Sequence, residues 1–237
     1  MKIAINQPYF FPYLGYYSLI KHTDEFILMD TFQFVKQSWM RRNKILKNPE
    51  GWCYIMVPCA NYNRNARIMD IIIDNKQDWK VQILNKLHYY KKIAPHYYSV
   101  IRLVEDLFSN EYSDLATLNR DTLSIICEYL DIPCKMFTFS KMGYSIENIN
   151  EPDDWALNIC KVRGNVNEYW NLPSGKDFYN TDKYRDSGID IKFPQNNLRP
   201  YEQKRSSFES GMSILDVLMF NDKSVVHEML DDFEFIK

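Results

Sequence analysis

The sequence predicts an α/β protein: a mainly parallel, Rossmann-like sheet with helices on both faces and a helical segment in the middle of the chain. Three observations carry this reading. Short, near-continuously apolar runs, such as residues 2–5 and 25–30, read as strands covered on both sides. Between such runs lie segments with apolar residues three and four apart, the spacing of helices with one buried face. In the C-terminal half the two patterns alternate regularly, as parallel βαβ units do.

In order, residues 2–5 form a strand, residues 14–22 a helix and residues 25–30 a second strand. Residues 52–58 and 68–74 are further strand candidates. Asp78 reads as the N-cap of a long helix whose Trp79, Ile83, Leu87 and Tyr90 share a stripe, ended by Pro95. Helices follow over 98–108 and 114–130. A strand at 135–140, a helix at 153–162 before Gly164 and a strand at 168–170 come next. Residues 182–186 give a short helix closing on Gly188, and 189–193 a strand. Ser213-Ile214-Leu215-Asp216 reads as a capping box opening one last long helix. This makes one α/β domain over residues 1–237, with a helical subregion over 78–132.

Composition narrows the function classes. The net charge is −2, so no global field draws the chain to nucleic acid or an anionic membrane. No run approaches the roughly 20 apolar residues that span a bilayer, and no secretory leader precedes the first strand, so a cytoplasmic protein without membrane insertion is expected. Five cysteines without C-x-x-C spacing read as reduced thiols, and four scattered histidines give no metal set. Aromatic residues make up 15 %, an excess that suits stacking on flat or hydroxylated ligands.

Candidate site residues cluster after predicted strands, where α/β sheets bind ligands. In "NQPYFFPYLGYYSLI", residues 6–20, Pro8 and Pro12 stiffen the turn. Gly15 would permit close backbone approach, while Tyr9, Phe10, Phe11, Tyr13 and Tyr16 offer ring faces and Gln7 an amide. In "DTFQFVKQSWMRRNKI", Asp30 could orient a sugar hydroxyl. Lys36, Arg41 and Arg42, with Gln33, Trp39 and Asn43 beside them, suit a diphosphate. In "YWNLPSGKDFY", Ser174-Gly175-Lys176 could form a small anion nest near Tyr179, and Tyr201 and Gln203 add polar tips. His88 is the first candidate for a general base, with Asp30 as a second catalytic candidate.

These segments, with "ICKVRGNVNEYWNLPSGKDFYN", "SGIDIKF" and "YEQKRSSFESGMSILDVLMF", together resemble the WbqC-like family over nearly the whole chain. The family pattern covers Gln7, Pro8, Pro12, Gly15, Tyr16, Asp30, Gln33, Trp39, Arg42, Asn43, Gly175, Tyr179, Tyr201, Gln203, Ser213 and Asp216; Asn6 stands where the family commonly has histidine. The resemblance implies a role in O-antigen or capsule biosynthesis, as an N-acyl- or aminoacyltransferase acting on a nucleotide-linked amino sugar (dTDP-, UDP- or GDP-). The sequence names no cofactor; an acyl-CoA or an ATP-activated acyl donor would serve, and a homodimer stays open. Two alternatives remain. Tyr13-Leu14-Gly15-Tyr16 is distantly similar to the HxGH turn of nucleotidylyltransferases and related ATP-dependent ligases, without its histidines. The chain could also be a non-catalytic sugar-nucleotide-binding partner of a glycosyltransferase.

Overall fold

The computed structural model describes residues 1–236. In chain order its strands and helices are β1 (Lys2–Asn6), α1 (Leu14–His22), β2 (Glu25–Leu28), β3 (Arg42–Leu46), β4 (Trp52–Met56), α2 (Trp79–Leu87), α3 (Tyr97–Phe108), α4 (Leu115–Tyr129) and β5 (Met136–Thr138). Then follow α5 (Asp154–Arg163), β6 (Glu168–Trp170), α6 (Thr181–Asp186), β7 (Asp190–Asn196), α7 (Ile214–Phe220), α8 (Lys223–Asp231) and β8 (Phe233–Ile236).

The main sheet runs β5-β2-β1-β6-β7-β8. Its first five strands are parallel, and β8 closes the edge antiparallel to β7. The chain steps outward from β1 through β2 to β5, then returns to the other side of β1 for β6 and β7. This is the doubly wound, Rossmann-type order, reversing between β1 and β6.

Period-two alternation assigns the strand side chains to two cores. Ala4, Phe26 and Leu28 face the core built with α1, α7 and α8, which continues into α2–α4. Ile3, Ile5, Ile27 and Met29 face a smaller core with Leu157, Ile159 and Cys160 of α5 and Tyr184 of α6. Helices therefore cover both faces. Among the described residues no helix is long and apolar enough to cross a membrane.

Three expectations need correction, and two strands went unread. Residues 68–74 are not a strand: they form a single 3-10 turn, Ile68–Asp70, and then isolated bridges. Their near-continuous apolar run belongs to an irregular segment with Ile68, Ile71 and Ile73 buried and Ile72 52 % exposed. Residues 52–58 hold a strand, but it pairs antiparallel with β3 in a separate hairpin with one face open to solvent. The helix after Ser213 is two helices, because Asn221 is extended and its side chain turns back to cap the Val217 carbonyl at 2.8 Å. Finally, β3 and β8 had no counterpart in the sequence reading; cations in β3 and acidic residues before β8 hid their apolar alternation.

Candidate functional site

The strand order places a crevice beyond the carboxyl ends of β1 and β6, where doubly wound sheets bind ligands. A cleft of about 230 Å³ lies there. Its walls come from the end of β1 (Asn6, Gln7, Tyr9), from Phe32 after β2, from Trp155 on α5, and from Asn171, Ser174 and Tyr179 after β6. A second lobe of about 270 Å³ shares Tyr9, Leu172 and Ser174 with the first and adds Pro12, Tyr13, Trp39, Asn43 and Leu198.

The turn that opens this cleft is held almost atom by atom. Its carbonyls cannot pair within a helix or strand, so most find a donor elsewhere. Tyr16 Oη donates to the Gln7 carbonyl at 2.7 Å, and Asn119 Nδ2 to that of Pro8 at 2.9 Å. Asn43 Nδ2 donates to the Phe10 and Phe11 carbonyls at 3.2 and 2.8 Å. Ser213 Oγ also reaches Phe11 O at 2.8 Å, and the Ile214 amide meets Pro12 O at 2.9 Å. This scaffold keeps Phe11 at φ +40°, a conformation unusual for a residue with a Cβ. Phe10, Phe11 and Tyr16 are wholly buried. They anchor the turn from beneath and offer no face to a ligand, which corrects the stacking role expected of them; Tyr9 and Tyr13 alone of the five rings line the cleft. Gly15 has a related purpose. A Cβ there would sit 2.6 Å from Tyr13 Cε2, so the glycine makes room for a cleft ring and does not approach a ligand itself.

Among the described residues, the lining of neither lobe contains an Asp, Glu, His, Cys, Lys or Arg. Its polar groups are amides, a hydroxyl and phenols. Tyr169 Oη lies 2.9 Å from Tyr179 Oη, and Asn171 Nδ2 donates to Tyr179 Oη at 2.8 Å. Burial pushes the Tyr179 and Tyr13 phenols up to about 12, so both stay protonated in neutral water. Asn6 Nδ2 is buried at the end of β1 and has no hydrogen-bond partner. Such an orphan donor costs stability as long as it stays unpaired.

The residues singled out from the sequence separate into groups. Gln7, Tyr9, Tyr13, Trp39, Asn43, Ser174, Gly175 and Tyr179 line the two lobes. Asp30 does not: its carboxylate is 2 % exposed and accepts from the Ser140 amide at 3.0 Å and hydroxyl at 2.5 Å, tying β2 to the segment after β5. That full engagement removes it as a sugar ligand or acid–base group. His88 is exposed and lines another depression, between Lys47, Cys53 and Lys86, sharing no residue with the cleft. Lys36 is exposed, and Gln33 is spent on the Arg64 carbonyl at 2.9 Å. Arg41 and Arg42 are not set as one diphosphate clamp: Arg41, in the turn before β3, is buried, whereas Arg42 opens the strand and stays partly exposed. Arg42 lies 4.1 Å over the Tyr54 ring, while Arg41 is buried, near enough to Cys59 to oppose the rise that burial gives its thiol. Residues 173–178 form a 3-10 helix in which the Gly175 amide donates to Leu172 O at 2.9 Å. The expected nest with Lys176 is therefore absent, its central donor being consumed.

Tyr201 and Gln203 belong to a buried knot. Asp216, 0 % exposed, accepts from Tyr90 Oη at 2.5 Å, from Gln203 Nε2 at 2.9 Å and from Tyr201 Oη. Burial raises the Asp216 carboxyl above its ordinary value although all three donors oppose that. The knot joins α7 to the 3-10 turn after α2 and to the loop behind Tyr13, and the Leu46 amide donates to Tyr90 Oη at 2.8 Å.

Sequence reasoning missed Asn171, Trp155 and Phe32 as cleft residues and Asn119 as a positioning residue, and gave Asn6 no role. An asparagine directly after a strand was the signal available for Asn6 and Asn171. Trp155 and Asn119, on helices, carried none.

A model of the WbqC-like protein family matches residues 7–228. The chain is also 30 % identical over 223 residues to Uncharacterized protein Rv1507c of Mycobacterium tuberculosis, covering 93 % of each chain. No solved structure matches significantly.

Proposed function

The chain belongs to the WbqC-like protein family, and on that premise we propose that it serves bacterial surface-polysaccharide biosynthesis in the cytoplasm, binding a nucleotide-linked amino sugar in the switch-point cleft and acylating its amine. The observation that carries the sugar assignment is the buried Asn6 Nδ2 donor, without a partner among the described residues, in a cleft that Gln7, Asn171, Ser174 and Tyr179 also line. Neutral donors and acceptors beside ring faces match a hydroxylated hexose, and an anion buried there would stand unpaired.

The two lobes meet at Tyr9, Leu172 and Ser174. A sugar in the polar lobe would present its amine to an acyl group in the more aromatic one. The amine nitrogen attacks the acyl carbonyl, the N–C bond forms as the bond to the thiolate or phosphate leaving group breaks, and the amine's proton passes to solvent. No cleft residue titrates near neutrality to take that proton. The catalytic contribution is therefore positioning of two reactants, and the rate should rise with pH as the free amine deprotonates.

The same lack of a base supports a second reading, binding without turnover. Incubation with dTDP-, UDP- and GDP-linked amino sugars and acyl-CoA, or a carboxylic acid with ATP and magnesium, separates the two by mass spectrometry. A product heavier by one acyl group is expected. Tight binding with no mass gain under any donor would leave only the binding role, and pyrophosphate release without acylation would point to ligase or nucleotidylyltransferase chemistry.

A further inference from the structure

The charged half of such a ligand needs a place, and neither lobe is lined by a cation among the described residues. From the hairpin beside the second lobe, we infer that the open face of β3–β4 receives a nucleoside diphosphate: Arg42 and Lys44 take the phosphates and the Trp52 and Trp39 rings take the base. This rests on the cleft being the sugar site.

Three observations carry it. Trp39 belongs both to the lobe wall and to the hairpin face, its ring 6.4 Å from that of Tyr54 and 5.8 Å from Lys44 Nζ. Antiparallel register puts Arg42, Lys44, Tyr54 and Trp52 on one side of the hairpin, and Lys44 Nζ lies 4.4 Å from the Trp52 ring. Trp39 and Trp52 remain 39 % and 38 % exposed, so ring surface stays open to a ligand.

Electrostatics point the same way. The chain carries 31 acidic residues, yet no described carboxylate forms an ion pair with Arg42 or Lys44. Arg42 Nη2 is steadied by the Gln37 carbonyl at 3.0 Å, while its Nε is buried without a partner. Cations held over ring faces and left without counter-ions suit phosphate oxygens, and a π face accepts any base.

The test titrates the full-length protein with UDP, dTDP or GDP alone, and separately with the methyl glycoside of the amino sugar, by calorimetry and tryptophan fluorescence. A nucleoside diphosphate should bind the native protein, quench fluorescence and weaken with added salt. Lys44→Ala and Trp52→Ala should each lower that affinity tenfold or more while leaving glycoside binding unchanged. Both replace part-exposed side chains, and an unchanged melting temperature confirms folding. Nucleoside diphosphate affinity that is absent in the native protein, or that keeps its native value in both variants, overturns this inference alone. Nucleoside diphosphate binding without glycoside binding instead overturns the cleft assignment.

Discussion

Tyr16, buried in the first helix, donates its hydroxyl to the Gln7 carbonyl at 2.7 Å. A core side chain thereby fixes the backbone of a residue that lines the cleft. Replacing Tyr16 by Phe keeps the ring and orphans the carbonyl, which costs about 1–3 kcal/mol. Chemical denaturation should show that loss, and ligand affinity should fall several-fold as Gln7 shifts. Unchanged affinity would mean that the turn does not depend on this bond.

The contact between Gly15 and Tyr13 predicts a different outcome. Alanine is the better helix former by about 1 kcal/mol, but its Cβ would press on the Tyr13 ring. The ring is the free end of a side chain, so it should swing while the backbone holds. Gly15→Ala should change stability by less than about 1 kcal/mol yet weaken binding in the second lobe. In a Tyr13→Ala background the same change should have no further effect on binding, a coupling measured by a double-mutant cycle.

Asp216 predicts a pH dependence. Its folded pKa is raised above the ordinary 3.8 by burial, so folded protein holds the proton more tightly than unfolded chain. The stability linked to this proton is fully present below pH 3.8 and is lost as pH rises through the folded pKa. Asp216→Asn abolishes that component. It also sets an amide N–H₂ against three donors, costing about 1–3 kcal/mol at neutral pH. Denaturant midpoints across acidic to neutral pH should show a smaller falling component in the variant; parallel curves would contradict the assignment.

The centre of the sheet was legible because β1 and β2 are buried on both faces, which writes near-continuous apolar runs such as Ile3–Ile5 into the sequence. Helix α1 was legible to its ends. The hairpin β3–β4 was not, since Arg42 and Lys44 on its open face read as a basic run. The candidate site was half legible. Proline and tyrosine after β1 marked the right loop, but sequence does not say which rings point inward, and Phe11, Tyr13 and Tyr16 look alike there. His88 and Asp30 drew attention by chemical type alone. Three-dimensional placement removes both from the cleft lining and brings forward Asn6, whose unpartnered Nδ2 only the packing around it reveals.

The most direct measurement compares calorimetric titrations of the native protein, Asn6→Leu and His88→Ala with a UDP-, dTDP- or GDP-linked amino sugar that the native protein binds. Leucine has nearly the same shape but removes the orphan donor and replaces the amide with apolar methyl groups. Affinity should drop at least tenfold in Asn6→Leu and stay unchanged in His88→Ala, with both variants folded by circular dichroism. Native affinity in Asn6→Leu, joined to its loss in His88→Ala, would place the ligand in the depression around His88 and contradict the switch-point site.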